Sequence, residues 1–349
     1  MPETNFAGLI SGWFQRNRRE LPWRLKDAGR ARREPYAVWV AEVMLQQTRA
    51  EVVGPYFERF LQRFPDVAAL AAAPESEVLR CWAGLGYYRR ARMLHAAAQE
   101  VVARLGGLLP VTMDAWRELP GIGEYTAAAI AAQAHGEARA AVDGNVKRVA
   151  ARVLGLEMRA DETALHGAAR TWAQELMDRA EDPGVMVEAL MELGATVCTP
   201  RAPRCTECPV AEDCAVRARG NPEALPLPKA RTQWVDLRLR GFLARRGEAW
   251  LLRERMEGWN PGLWEPPAEL ARPDERPEES WQRLGLGAAR ALRPLGEVRH
   301  VITRHRIRVE VFSVEDWEGG PQPVISEAVG LTGLARKMLR LQTVVHGAE

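Results

Sequence analysis

The chain has 349 residues, a mass of 38.9 kDa and 47% hydrophobic residues, long enough for two domains and apolar enough to give each a core. A net charge of +2 and a pI near 8.3 fall short of the strongly basic footprint of a protein that holds nucleic acid by charge alone. No run approaches the roughly 18 uninterrupted apolar residues of a membrane span, and the start MPETNFAGLISGWFQ lacks the layout of a secretory signal, so a cytoplasmic protein without a membrane partner is expected. All but four of the 48 basic residues are arginine (the exceptions are Lys26, Lys147, Lys229 and Lys337), which GC-rich codon usage explains more simply than phosphate reading.

The first two-thirds reads as helices. Residues 35–48, PYAVWVAEVMLQQT, keep helical spacing at Val40, Val43 and Met44, with Glu42 and Gln46 one turn apart on one face. A glutamate in so apolar a run is either an ordinary exposed position or a partly desolvated acid with a raised pKa, able to protonate a leaving group. The preceding LKDAGRARRE reads as a charged surface loop, and the isolated Cys81 as a small buried core residue.

Residues 119–126, LPGIGEYT, place Gly121 and Gly123 just ahead of the helical run AAAIAAQA, where Ala127, Ile130 and Ala131 share a face. Such a turn can aim backbone N–H groups at a phosphate. In the following AVDGNVKRVAAR, Asp143 can cap the helix that begins near Asn145, serve as a chemical carboxylate, or do both.

Cys198, Cys205, Cys208 and Cys214 form C-x6-C-x2-C-x5-C. Disulfides are not expected in a chain without export signals. Four thiolates this close suit either tetrahedral zinc or a 4Fe-4S cube, and counting thiols does not choose between them. Arg201, Arg204 and Arg217 surround the cysteines and could face a phosphate backbone.

Residues 217–233, RARGNPEALPLPKARTQ, have the Pro/Gly content of a connector, with a boundary near Gln233. Beyond it the period changes to two. Val235, Leu237 and Leu239 alternate with polar residues, as do Ile307, Val309 and Val311 with Arg306, Arg308 and Glu310, and a short helical run covers Leu334 to Leu341. The expected organisation is a helical domain over 1–220, a connector over 221–232, and over 233–349 a small α+β domain with at least one antiparallel sheet.

LPWR (21–24), EVMLQQT, WAGLGYYRRAR, LPGIGEYTAAAI, DGNVKRV, EALMELGATVC and the cysteine spacing together resemble the MutY family of adenine DNA glycosylases, within the endonuclease III helix-hairpin-helix superfamily. The likeness spans most of residues 6–220. It implies a mainly α N-terminal helix-hairpin-helix glycosylase domain with an iron–sulfur loop, plus an α+β Nudix-like C-terminal domain. It also implies a 4Fe-4S cluster on the four cysteines.

The resemblance further implies that Glu42 protonates adenine and that Asp143 stabilises the oxocarbenium ion left on the sugar, with Tyr125 and Asn145 in support. Gln47 and Tyr87 would enter the base stack beside Gln46 and Thr48, Gly121 and Gly123 would form the DNA-gripping hairpin, and Trp23, Arg24 and Glu188 would line the pocket for the flipped adenine. Bifunctional members carry a lysine where this chain has Tyr125, which implies a monofunctional enzyme. The partner would be duplex DNA with adenine opposite 8-oxoguanine or guanine, bound by a monomer associated with a bacterial nucleoid.

In the C-terminal part, WNPGLWEPP (259–267) is similar to the family's G-x-W-E-F-P, but no glutamate-rich metal box follows, so recognition is expected rather than hydrolysis. RHVITRHRI (299–307) puts Ile302, Thr303 and Arg304 where the family shows Phe-Ser-His, leaving Thr303 and His305 as the polar contacts to the lesion. The rival readings are a related mismatch or oxidised-pyrimidine glycosylase, which would not need the second domain, and a non-catalytic iron–sulfur sensor, against which Glu42 and Asp143 argue together.

Overall fold

The computed structural model of the protein describes residues 5–25, 33–230, 233–326 and 329–345. The chain divides into two units, residues 1–73 with 90–230, and residues 74–89 with 231–349. Most of the LKDAGRARRE loop lies outside the described residues.

The first unit contains α1 (Phe6–Asn17), α2 (Pro22–Leu25), α3 (Pro35–Leu45), α4 (Ala50–Arg63) and α5 (Val67–Ala72), while α6 (Glu75–Trp82) groups with the second. It continues with α7 (Arg89–Leu105), α8 (Met113–Arg117), α9 (Glu124–Ile130), α10 (Gly144–Leu154), α11 (Thr163–Asp178), α12 (Pro183–Thr196) and α13 (Ala215–Ala218).

Helix α3 is central because it is apolar all round: Tyr36 through Met44 are buried, Glu42 among them. Pro35 at its first position and the Glu34 carboxylate, which accepts from Tyr36 N at 2.9 Å and Ala37 N at 2.6 Å, start it. It ends at Leu45, earlier than the sequence pattern suggests. Gln46 turns extended and Gln47 takes a φ of 58°, so Gln46 does not stand on a helix face one turn from Glu42. The cause is Arg90, whose guanidinium donates to the carbonyls of Val43 (3.0 Å), Met44 (2.8 Å) and Gln46, replacing the N–H groups of a further turn.

Helices α1, α10, α11 and α12 form the core around Ile10, Phe14, Val146, Trp172, Met186 and Leu193. Helices α10 and α12 approach closely at Gly194, where an added Cβ would lie 2.5 Å from Asn145 Cβ. The hairpin runs from α8 to α9. Gly121, with φ 75°, is required there, since a Cβ would lie 2.4 Å from Met93 Cβ. After Ile130 the helix widens into a π-turn, Ala131–His135, rather than continuing as α. Residues 221–230, read from sequence as connector, pack on this unit: Leu225 is buried, its carbonyl accepts from Arg152 Nε at 2.9 Å, and Leu227 bridges to Arg159.

The second unit contains β1 (Val235–Arg246), β2 (Ala249–Trp250), β3 (Arg253–Glu254), β4 (Trp264–Glu265), β5 (Ala268–Leu270), α14 (Pro277–Arg283), β6 (Ala288–Ile302), β7 (His305–Glu318), β8 (Val324–Ile325) and α15 (Gly333–Val345). Its main sheet has the order β6-β7-β1-β2-β8, with β5 also on β1. The expected antiparallel pairing holds for β6 and β7, but β1 runs parallel to β7, so the sheet is mixed. Alternation along β1 sends Phe242 to Trp281 of α14 and Leu243 to Leu334 and Met338 of α15, covering both faces. Helix α15 is longer than the run read from Leu334 to Leu341. Cys81 is half-buried rather than buried. Among the described residues, no helix is long and apolar enough to cross a membrane.

Candidate active site

A cleft in the first unit, about 1240 Å³ with the solvent it opens to, brings together Trp23, Arg24, Glu42, Gln47, Thr48, Tyr125, Asp143, Asn145 and Glu188. Gln133, Met191 and Glu192 also line it. Its floor is Glu42, 5% exposed. Oε2 of Glu42 lies 3.0 Å from the Tyr125 hydroxyl, and Oε1 accepts from Gln133 Nε2 at 2.8 Å. Burial pushes the Glu42 carboxyl from 4.5 up to about 7; Gln133 and Tyr125 pull it down, and the Glu188 and Asp143 carboxylates push it up. A buried acid that holds its proton near neutrality can act as a general acid.

Asp143 caps α10, its Oδ1 accepting from Val146 N at 2.8 Å, so the cap reading and a place in the cleft hold together. Its Oδ2 accepts from Asn145 Nδ2 at 2.8 Å. Burial raises its pKa, against the Val146 N–H, the Asn145 amide and Arg148, all of which favour the carboxylate. Glu42 is thus suited to carry a proton, whereas Asp143 is held by donors that suit an anion.

An ion-pair network centred on the buried Arg24, Glu188 and Glu192 also lines the cleft. Arg24 Nε lies 2.8 Å from Glu188 Oε1 and its Nη2 3.2 Å from Glu192 Oε2, while Arg19 Nε lies 2.8 Å from Glu192 Oε1. Arg33 also pairs with Glu188. Burial alone would raise Glu192, but Arg19 and Arg24 hold it down to about 2. Trp23 is buried edge-on against Phe57, with centroids 5.8 Å apart. At the rim, Gln47 is exposed, Gln46 Nε2 donates to Thr126 Oγ1 at 3.0 Å, and Thr48 Oγ1 accepts from Arg90 Nη2 at 3.1 Å. Gly121 lies in the α8–α9 turn and Gly123 is the N-cap residue of α9.

In the second unit, Tyr87 is exposed with φ 49°. Thr303 and Arg304 form the two-residue tip of the β6–β7 hairpin, closed by the Ile302–His305 pair. Thr303 has φ 51°, its Oγ1 lies 3.3 Å from His305 Nδ1, and the His305 ring lies 4.7 Å from that of Trp259.

The four cysteines line one pocket of the first unit with Val149, Arg152 and Val197. Among the described residues, no three His, Cys, Asp or Glu side chains converge tightly enough for a single ion. The four thiols nonetheless line one cavity together. Burial pushes the Cys208 thiol up to about 11, so a metal centre is what would hold it as thiolate. Arg152, 2% exposed, donates to Cys198 Sγ at 3.4 Å, Thr199 O at 2.7 Å, Pro200 O at 3.1 Å and Leu225 O. Arg148 Nε donates to Cys198 O at 2.7 Å and its Nη2 to Asn145 Oδ1 at 2.8 Å.

Sequence reasoning missed Gln133, Arg148, Arg152, Arg90 and the Arg19–Glu192 pair. Gln133 had a usable signal, a polar residue inside an alanine-rich run. Glu192, four residues after Glu188, had another, two acids on one face of an apolar helix.

The family model of HhH-GPD superfamily base excision DNA repair proteins matches residues 40–174, and that of the iron-sulfur binding domain of endonuclease III matches residues 198–214. The chain is 45% identical over 227 residues to human adenine DNA glycosylase, covering 64% of this chain and 41% of that protein. It is 38% identical over 243 residues to the adenine DNA glycosylase of Mycolicibacterium smegmatis, covering 67% of this chain and 77% of that protein. It spans less than half the length of its human, mouse and rat relatives. A solved structure described as a thermostable thymine-DNA glycosylase is similar with a TM-score of 0.53 and 28% identity, covering 61% of this chain and 95% of that one. Cys198, Cys205, Cys208 and Cys214 all fall within the residues that match the iron-sulfur binding domain. With its hairpin, its cluster loop and its match to most of the length of the mycobacterial relative, the chain belongs to the MutY family of adenine DNA glycosylases within the HhH-GPD superfamily.

Proposed function

We propose that the protein is a monofunctional DNA glycosylase that removes adenine opposite 8-oxoguanine or guanine from duplex DNA. The observation that carries this reading is Glu42, a buried carboxyl with its pKa raised to about 7 on the floor of a cleft that also holds Asp143. Adenine is a poor leaving group until protonated. Glu42 gives its proton to the base, the C1′–N bond breaks with its electron pair going to adenine, and Asp143 stabilises the positive sugar until water adds and gives up a proton to solvent. Asn145 holds Asp143, and Tyr125 holds Glu42. Tyr125 offers no amine to attack the sugar, so the reaction stops at the abasic site.

Trp23, Arg24 and Glu188 line the pocket for the flipped adenine, Gln47 enters the base stack beside Gln46 and Thr48, and Tyr87 is a second residue that enters the stack. Gly121 and Gly123 turn the hairpin toward the phosphate backbone. Cys198, Cys205, Cys208 and Cys214 would hold the 4Fe-4S cluster, which cross-links the loop they bound.

The same proposal assigns residues 1–220 to catalysis, 221–232 to a connector and 233–349 to a Nudix-like domain that reads the opposite base through Thr303 and His305. The carboxylates that follow WEPP favour recognition over metal-dependent hydrolysis. Glu269 and Glu275 pair with Arg283, and Glu275 also with Arg240 at 3.3 Å. The enzyme acts as a monomer on nucleoid DNA.

Single-turnover assays on duplexes with adenine opposite 8-oxoguanine, guanine or thymine, scored for strand breaks before and after alkali, test this reading. Release from the first two, with breaks only after alkali, is expected. Release of thymine instead, or breaks without alkali, would replace it with the related mismatch glycosylase or a lyase.

A further inference from the structure

We propose that Gln133 is a positioning residue for the general acid, its amide N–H occupying Oε1 of Glu42 and so assigning the transferable proton to Oε2. This rests on reading Glu42 as the group that protonates the base.

Gln133 is 5% exposed, and its Nε2 lies 2.8 Å from Glu42 Oε1. An amide N–H can only donate, so the oxygen it meets must accept. Oε2 has a different neighbour. The Tyr125 hydroxyl lies 3.0 Å from Oε2 and also 3.0 Å from Met191 Sδ, and a hydroxyl can donate or accept. With the proton on Oε2, Tyr125 accepts from Glu42 and turns its own hydrogen to the Met191 sulfur. With Glu42 ionised, Tyr125 donates to Oε2. Both protonation states are therefore satisfied at Oε2, and only the ionised or carbonyl form is satisfied at Oε1.

The backbone under Gln133 supports a dedicated role. The residue sits in the π-turn Ala131–His135, which shifts the phase of its side chains from that of α9. Such single-turn insertions are rare and gather at functional sites.

The groups that face the Glu42 carboxyl are Tyr125 of α9, Gln133 of the π-turn, Asp143 at the start of α10 and Glu188 of α12. Burial and the two carboxylates favour the protonated acid, while Tyr125 and Gln133 favour the carboxylate. Removing the Gln133 N–H therefore raises the Glu42 pKa. Since the acid must be protonated to act, the alkaline limb of the rate profile moves up.

The test compares wild type with Gln133→Met, which keeps length without an N–H, and with Gln133→Leu. Two readouts are taken on the cluster-loaded protein: the pH profile of single-turnover adenine release opposite 8-oxoguanine, and an infrared titration of the Glu42 carboxyl identified by its loss in Glu42→Gln. In either variant, both midpoints are expected to rise by about one pH unit. Midpoints equal to wild type, with Glu42→Gln inactive, would overturn the role of Gln133 alone. Wild-type release by Glu42→Gln would remove the general-acid reading and this inference with it.

Discussion

Asn145 holds Asp143 from the side, its Nδ2 2.8 Å from Oδ2, while its own Oδ1 accepts from Arg148. Arg148 in turn donates to the backbone carbonyls of Gly194 at 2.8 Å and Cys198 at 2.7 Å. One chain of hydrogen bonds thus runs from the cleft to the first cysteine of the cluster loop, and Oδ1 of Asp143 is fixed separately as the cap of α10.

Asp143→Asn separates the charge from the cap, because asparagine caps helices about as well as aspartate. Thermal melts should show a stability change below about 1 kcal/mol. Single-turnover release should fall roughly a thousandfold, the scale of a lost electrostatic stabiliser. A large loss of stability with activity retained would mean that Asp143 serves the fold alone.

Gly194→Ala should disturb the same chain from behind, because its Cβ would meet Asn145 Cβ at 2.5 Å and Cα at 3.0 Å. A loss of about 1–3 kcal/mol and a slower release step are expected. Gly167→Ala, in α11 with nothing within 4 Å of the new Cβ, is the control and should stabilise by up to about 1 kcal/mol. Denaturant titrations of the pair check both signs.

Glu42 should make stability depend on pH. Its pKa is raised in the fold from 4.5 to about 7, so the fold prefers the protonated form. The stabilisation is complete below the unfolded pKa and is lost as pH rises through the folded one, about 3 kcal/mol in all. Melting temperatures of wild type should therefore fall between about pH 5 and about pH 8 relative to Glu42→Gln. Parallel curves for the two proteins would contradict the buried-acid description.

Arg152 should be indispensable to the cysteine loop. Replacing it with methionine leaves the carbonyls of Thr199, Pro200 and Leu225 without their buried donor, a loss of roughly 3 kcal/mol or more. Iron and sulfide content should drop with it, and a full complement in Arg152→Met would count against this role.

Much of the site was legible because it follows local rules. Gly121 is read from the turn it must make, Asp143 from the helix it caps, and Glu42 from being an acid inside an apolar run. What was not legible depends on residues far apart in sequence. Helix α3 stops at Leu45 because Arg90, 45 residues on, takes its last carbonyls. The parallel pairing of β1 with β7 joins strands about 70 positions apart, from Val235 to His305, and alternation fixes a strand's faces but not its neighbour. Arg148 and Arg152 act through side-chain bonds to loop carbonyls, which leave no periodic trace. Polarity alone also left open the mixture of burial and ion pairing that separates Glu42 from Glu192.

The most direct test of the central claim, that Glu42 gives its proton to the departing adenine, is the single-turnover release rate from adenine opposite 8-oxoguanine as a function of pH, for wild type and Glu42→Gln. Wild type should hold a plateau below about pH 7 and fall about tenfold per unit above it, with Glu42→Gln slower by roughly a hundredfold or more and flat. A wild-type rate independent of pH across that range, or a Glu42→Gln rate close to wild type, would contradict it.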